Sequence, residues 1–122
     1  MPGILIIDDS ATSRAALRLA LRSLGHDLAE APSAERALPM VRLLKPALVV
    51  CDLNLPGMSG LQFAARVRDE LEESPVVMLV TGEDADEWRQ RATEAGASVV
   101  VSKPVSPRVL ADHARRLLEV TP

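Results

Sequence analysis

Short, almost continuously apolar runs rich in β-branched residues recur along this chain of 122 residues, and they constrain its fold more than any other feature. Runs of this kind are typical of strands that are covered on both faces, as in parallel sheets. One further run alternates apolar with polar residues, which fits a strand closer to an edge of the sheet. The five predicted strands span residues 3–8, 27–31 (the alternating run), 47–52, 74–81 and 97–103.

Stretches with helical spacing lie between these strands. Apolar residues at i, i+3, i+4 and i+7 mark a first helix, which Gly25 is expected to end. Ser33 predicts the N-cap of a second helix, in which Pro39 predicts a kink or a late start. Strands that alternate with such helices predict a parallel α/β sheet with helices on both faces, in a single domain over residues 1–122. Three more helices are predicted over residues 61–71, over residues 86–95, and from Pro107 onward behind a Ser106 cap.

Composition and charge exclude several classes of protein. The net charge of −3 provides no basic surface for nucleic acid, so we expect no direct nucleic-acid binding by this domain. No apolar run approaches the roughly 20 residues that cross a bilayer. No basic segment precedes the first apolar run, and we therefore expect a cytoplasmic protein that does not enter a membrane. The lone cysteine, Cys51, is expected to be a buried, reduced thiol.

Polar residues stand where the predicted strands end. Asp8 and Asp9 close the first strand, Asp52 the third, Thr81 the fourth and Lys103 the fifth. In an open α/β sheet, the carboxyl ends of the strands line the ligand crevice, so these side chains are predicted to converge. A single aspartate at a strand end is most often structural, but one reactive side chain after another at the same edge favours a functional site.

The chemistry of these residues is coherent. Three carboxylates in one pocket repel one another unless a cation joins them, and Mg²⁺ fits best because it prefers oxygen ligands and completes its shell with water and phosphate. The Lys103 ammonium and the Thr81 hydroxyl can bind a tetrahedral oxyanion. A carboxylate can attack phosphorus to form an aspartyl phosphate, so the set predicts a phosphoryl acceptor with Asp52 at its centre.

Four motifs resemble the receiver domain of two-component response regulators, and the resemblance covers essentially the whole chain. They are "IIDDSATSR" (6–14), "VCDLNLPGMSG" (50–60), "VTG" (80–82) and "GASVVVSKP" (96–104). The resemblance implies a flavodoxin-like, doubly wound sheet of five parallel strands with five helices. It also implies a phosphorelay protein in signal transduction that is not an enzyme but a phosphoacceptor switch, either a monomer or a dimer that forms on phosphorylation.

The resemblance also assigns roles to residues. Asp52 is the phosphoacceptor, and Thr81 and Lys103 bind the phosphoryl group. Mg²⁺ is held by Asp9, Asp52 and the main-chain carbonyl of Asn54, and Asp8 helps to hold it through water. The implied partners are a histidine kinase or histidine phosphotransfer protein, which donates the phosphoryl group, and a downstream output protein or domain. The resemblance further implies a cis Lys103–Pro104 bond, and Gly57 is expected to have a positive φ.

One position departs from the family pattern. Three residues before the lysine, where receivers usually carry Tyr or Phe, this chain has Val100, and it contains no tyrosine. Where Phe often follows the Lys-Pro pair, Val105 stands here. A valine is too short to swing between interior and surface, so we hypothesise that switching relies on the loop after Thr81 and on the fourth helix.

Two other functions compete with the switch. The first is a Mg²⁺-dependent phosphatase that forms an aspartyl phosphate, which Asn54 disfavours because an amide two residues after Asp52 cannot shuttle a proton. The second is a receiver-like interaction module that is not phosphorylated, which the intact polar set disfavours. We expect either a receiver that stands alone or the N-terminal part of a longer regulator.

A basic stripe remains outside these assignments. Arg14, Arg18 and Arg22 recur every four residues on the polar side of the first helix. A solvated helix face is the favoured interpretation, because exposed basic residues are common on helix surfaces. Docking of a kinase or phosphotransfer helix bundle is the functional alternative.

Overall fold

The computed structural model describes residues 3–120, and in it five parallel strands form one sheet. The strand order is β2-β1-β3-β4-β5, and every neighbouring pair is parallel. The predicted doubly wound, five-stranded α/β fold is therefore confirmed, with the alternating run at an edge of the sheet as predicted. The strands are β1 (Ile4–Ile7), β2 (Leu28–Ala31), β3 (Leu48–Asp52), β4 (Val76–Thr81) and β5 (Val99–Ser102).

Five α-helices connect the strands or follow them, and most begin behind a side-chain cap. Ser10, Ser33 and Ser59 each accept a hydrogen bond from a backbone amide three residues ahead, and Asp84 accepts one from the amide two residues ahead. These bonds satisfy amides that a helix start leaves without partners. The helices are α1 (Ala11–Leu21), α2 (Ala34–Leu44), α3 (Gly60–Glu70), α4 (Ala85–Glu94) and α5 (Pro107–Val120).

Two helix predictions differ from the structure in detail. The first helix gives way after Leu21 to a turn of 3-10 helix, and Gly25 ends that turn with φ 77°. The predicted late start of α2 is wrong, because the helix begins at Ala34 and runs through Pro39. The hydrogen bond that proline removes belongs to the Glu35 carbonyl. Glu35 and Pro39 are both exposed, so water can donate a hydrogen bond to the Glu35 carbonyl.

The apolar core lies in two layers, one on each face of the sheet. In β1, Leu5 and Ile7 pack into one layer and Ile4 and Ile6 into the other, as the alternation of side chains along a strand requires. Helices α2, α3 and α4 cover the first layer, and α1 and α5 cover the second. None of the helices within residues 3–120 combines the length and the apolar character needed to span a bilayer.

Gly60 allows α3 to start directly against the end of β3. A Cβ atom at this position would lie 2.6 Å from the Asp52 carbonyl oxygen and 2.9 Å from the Leu53 Cα. Both are backbone atoms that cannot turn aside. The close approach sets where the loop after Asp52 returns to the body of the protein.

We expect Gly60→Ala to destabilise the fold by about 1–3 kcal/mol, because the added methyl group forces backbone atoms apart. Gly82→Ala is the matched control, since a Cβ there meets nothing within 4 Å. Chemical denaturation of both variants gives the free energies of unfolding. Equal stabilities for the two would contradict the close approach.

Cys51 is fully buried in β3, as predicted, and its thiol donates to the Asp52 carbonyl oxygen at 3.3 Å. Burial raises the pKa of the thiol far above its ordinary value, and the charges of Asp52 and Asp8 raise it further. The folded protein thus keeps the thiol protonated at a pH where the unfolded chain loses the proton.

This difference predicts an alkaline loss of stability. Above the ordinary thiol pKa of 9.0 the unfolded state binds fewer protons, so stability falls as the pH rises. The slope approaches about 1.4 kcal/mol per pH unit in the wild type and is absent from Cys51→Ala. Unfolding free energies measured between about pH 8 and pH 10 give both slopes. Parallel curves for the two proteins would contradict the prediction.

Candidate functional site

The polar residues that follow the strands meet at the carboxyl edge of the sheet. Asp8 follows β1, Asp52 ends β3 and Thr81 ends β4, and all three are buried, with 1%, 9% and 0% of their surfaces exposed. Asp9 is exposed beside them. Asp8, Asp9 and Asp52 each offer a carboxylate oxygen within 4.8 Å of the other two. The convergence predicted from the strand ends is therefore present.

Lys103 lies between two of these carboxylates. Its Nζ is 3.4 Å from an oxygen of Asp8 and 3.4 Å from an oxygen of Asp52. Burial alone lowers the pKa of Lys103, but the charges of Asp52 and Asp8 outweigh it, and the pKa lies above its ordinary value. The lysine amide donates to the Thr81 carbonyl at 2.6 Å, and the Lys103–Pro104 bond is cis as predicted. Lys103 is thus a fixed positive charge at the site.

Thr81 and Asn54 line the same edge. The Thr81 hydroxyl oxygen accepts hydrogen bonds from the Glu83 amide at 3.0 Å and from the Asn54 side chain at 3.4 Å. The Asn54 backbone amide donates to Asp52 Oδ1 at 3.0 Å. Gly57, in the same loop, has the predicted positive φ of 76°. The loop after β3 therefore orients Asp52, and the role of the Asn54 carbonyl as a metal ligand stays a prediction.

The turn that carries Asp8 and Asp9 is held from several sides. Asp8 Oδ1 accepts a hydrogen bond from the Ser10 amide at 2.9 Å. The Asp8 carbonyl accepts one from Arg14 Nη1 at 2.7 Å. The interpretation of Arg14 as part of a solvated stripe is wrong, because its side chain is only 19% exposed and faces this turn.

The donor set fits a hard divalent cation. Three carboxylates against one ammonium leave two negative charges uncompensated, and all the anionic donors are oxygen atoms. Mg²⁺ binds through one or two carboxylates together with water and phosphate oxygen. Asp8, Asp9 and Asp52 are therefore the residues that could hold such an ion.

Two contacts near the site were not predicted, and only one of them has a sequence signal. Arg14 reaches the Asp8 carbonyl because α1 begins at Ala11, shortly after the acidic pair, and the separation of six residues could have suggested the contact. Ser102 Oγ accepts a hydrogen bond from the Ala85 amide at 2.8 Å, which ties the start of α4 to β5. Only the tertiary fold brings these last two residues together.

Comparison with known proteins agrees with this geometry. The family described as "Response regulator receiver domain" matches residues 4–115. The transcriptional regulatory protein AfsQ1 of Streptomyces coelicolor is 37% identical over 118 residues, which are 97% of this chain and 52% of that protein. The chemotaxis protein CheY of Pseudomonas aeruginosa is 36% identical over 119 residues, or 95% of each chain. The chain thus spans about half the length of AfsQ1 and nearly all of CheY.

Solved structures give the same result for the fold. A CheY-like receiver domain protein from Methanospirillum hungatei superimposes with a TM-score of 0.87 at 26% identity, over 98% of this chain and 94% of that one. CheY4 of Vibrio cholerae superimposes with a TM-score of 0.86 at 25% identity, over 96% and 98%. From these matches and the acidic edge of its sheet, we conclude that this chain belongs to the receiver domain family of two-component response regulators.

Proposed function

We propose that this domain, over residues 1–122, accepts a phosphoryl group on Asp52 in a Mg²⁺-dependent reaction and thereby changes its partner-binding surface. The donor is the phosphohistidine of a histidine kinase or a histidine phosphotransfer protein. The observation that carries the proposal is the placement of Asp52, which is buried and oriented beside two further carboxylates and one ammonium. An output protein or domain then reads the altered surface.

The residues of the site divide the chemistry of phosphoryl transfer among them. One carboxylate oxygen of Asp52 attacks phosphorus, the phosphorus–nitrogen bond breaks, and the imidazole leaves with the bonding electrons. The Asn54 amide fixes the attacking carboxylate through its bond to Oδ1. Lys103, which lies 3.4 Å from Asp52 Oδ2, can bind the phosphoryl oxygens once the carboxylate is phosphorylated. The Thr81 hydroxyl can donate to the same group.

Receiver domains bind Mg²⁺ at an acidic pocket, and Asp8, Asp9 and Asp52 would hold it here. When bound, the ion supplies charge neutralisation for the phosphoryl oxygens. The exposed position of Asp9 leaves one side of the cluster open to solvent and to an incoming phosphodonor. Asp8, by contrast, is 1% exposed and lies on the buried side of the cluster.

The competing functions receive less support. A phosphatase needs a group near Asp52 that can shuttle a proton, and Asn54 instead offers an amide that is bonded to Thr81. A module that is never phosphorylated has no need of buried carboxylates around a lysine, which are costly to desolvate. Phosphoryl acceptance with slow turnover accounts for both observations.

We expect Asp52→Asn to abolish phosphorylation, because an amide oxygen is a poor nucleophile and carries no charge. Wild type and variant are incubated with acetyl phosphate and Mg²⁺, and intact masses are measured with and without a chelator. The wild type should gain the mass of one phosphoryl group only when Mg²⁺ is present. Sustained release of phosphate without an adduct would support a phosphatase, and no adduct in the wild type would support a binding module.

The switching surface is proposed to be the loop after Thr81 together with α4. Val100, at the usual aromatic position, is only 5% exposed and packs in the same core layer as Ala85. The loop, in contrast, is bonded to the site, because the Glu83 amide donates to the Thr81 hydroxyl oxygen. The first residue of α4 is bonded to β5, because the Ala85 amide donates to Ser102 Oγ. A Thr81 hydroxyl that turns to donate to a phosphoryl group would pull on this loop.

Beryllofluoride, a mimic of the phosphoryl group, should therefore change the conformation of residues 82–87 more than that of the rest of the domain. Amide hydrogen exchange, measured with and without beryllofluoride in the presence of Mg²⁺, should show altered rates there because the Thr81–Glu83 contact is remade. Helix α3 serves as the internal reference. Unchanged exchange over residues 82–87, with beryllofluoride bound, would overturn this assignment of the switch.

A further inference from the structure

Arg14 differs from Arg18, the other arginine of α1, in what it contacts. Its Nη1 donates to the Asp8 carbonyl at 2.7 Å, while its Nε donates to Glu30 Oε1 at 3.2 Å. Arg18 also binds Glu30, with Nη1 3.0 Å from Oε2, but its side chain is 47% exposed. The two arginines therefore share one carboxylate, and only Arg14 joins that carboxylate to the acidic turn.

The Asp8 carbonyl belongs to the peptide unit that connects Asp8 to Asp9. A peptide unit is planar, so a bond to its oxygen fixes the orientation of the whole plane and the direction in which the chain enters Asp9. The bond from a guanidinium is charge-assisted and is therefore among the stronger hydrogen bonds in proteins. Arg14 thus restrains the backbone on which the Asp9 carboxylate stands.

Asp8 and Asp9 are held to different extents. Asp8 is fixed by its amide, which donates to the Ala31 carbonyl at 3.2 Å, and by the Ser10 amide on its carboxylate. Asp9 is exposed, and no contact of comparable kind holds its side chain among residues 3–120. Its carboxylate must nevertheless come within 4.8 Å of the oxygens of Asp8 and Asp52 for the cluster to exist.

Glu30 anchors the arginine to the sheet. It lies on β2 in register with Ile6 of β1, so its backbone pairs with the strand that leads into the acidic turn. Its carboxylate is also the anionic partner that Arg14 shares with Arg18. Arg14 therefore lies close to the acidic turn and is paired with the Glu30 carboxylate at the same time.

We propose that Arg14 is a positioning residue that holds the Asp8–Asp9 peptide so that the Asp9 carboxylate stays in the cation site. This inference rests on the proposed Mg²⁺-dependent function. It assigns no contact between Arg14 and the ion. Groups that orient metal ligands from outside in this way typically change metal affinity by 10- to 100-fold when they are removed.

The sign of the effect separates positioning from simple electrostatics. Removal of a positive charge near an acidic cluster should tighten cation binding if charge alone matters. Loss of the restraint on the Asp8–Asp9 peptide should weaken it. Arg14→Ala therefore gives opposite results under the two explanations, and Arg18→Ala removes an equal charge from the same Glu30 without touching the turn.

The experiment is an NMR titration of the full chain with Mg²⁺ alone, in which the amide resonances report both folding and binding. We expect Arg14→Ala to raise the Kd for Mg²⁺ by about tenfold or more, and Arg18→Ala to leave it near the wild-type value. Arg14→Lys retains the charge and the apolar stem but not the planar fork, so it should also weaken binding. It serves in place of the alanine variant if that variant does not fold.

The outcomes are distinct. Binding by the Arg14 variants as tight as that of Arg18→Ala, or tighter, would overturn the positioning role and leave the proposed function intact. A wild-type protein that shows no saturable response to Mg²⁺ would overturn the proposed function and this inference with it. A Kd for Mg²⁺ that is raised only in the Arg14 variants supports the positioning role.

Discussion

Repulsion among like charges at one edge of the sheet is the constraint on which the rest of this site depends. Asp8 and Asp52 are almost inaccessible to solvent, and a buried carboxylate without compensation is costly. Lys103 lies at equal distance from both, and the Ser10 and Asn54 amides each donate to one of them. These contacts keep the carboxylates in place without fully neutralising them. The fold thus maintains an unbalanced negative cluster that a divalent cation can complete.

Much of the fold could be predicted because its signals are local. The β-branched runs at β1, β3 and β4 become buried strands, and Ser33 and Ser106 cap helices through contacts within three residues of themselves. The convergence of Asp8, Asp52 and Thr81 followed from a general property of parallel sheets, whose strands all end at one edge. The positions of these site residues were therefore accessible from sequence, and their chemical roles remain predictions.

The features that sequence did not predict depend on distant parts of the chain. Pro39 is tolerated in α2 because it and Glu35, whose carbonyl loses its partner, are both exposed, and the sequence alone does not say which side of the helix is exposed. Arg14 was placed on the polar side of its helix correctly, but β2 supplies Glu30 there and converts a surface residue into a half-buried one. The bond between Ser102 and Ala85 likewise joins two elements whose proximity only the folded sheet establishes.

The burial of Cys51 has a consequence for the kinds of signal that this domain can register. Oxidation and alkylation both proceed through the thiolate, and they require that a reagent reach the sulfur atom. Here the sulfur is enclosed in the central strand, next to Asp52, and its pKa is raised by that burial. Peroxide and disulfide reagents therefore find no accessible thiolate at Cys51, the one cysteine of the chain. The neighbour of the proposed phosphoacceptor is insulated from the redox state of its surroundings.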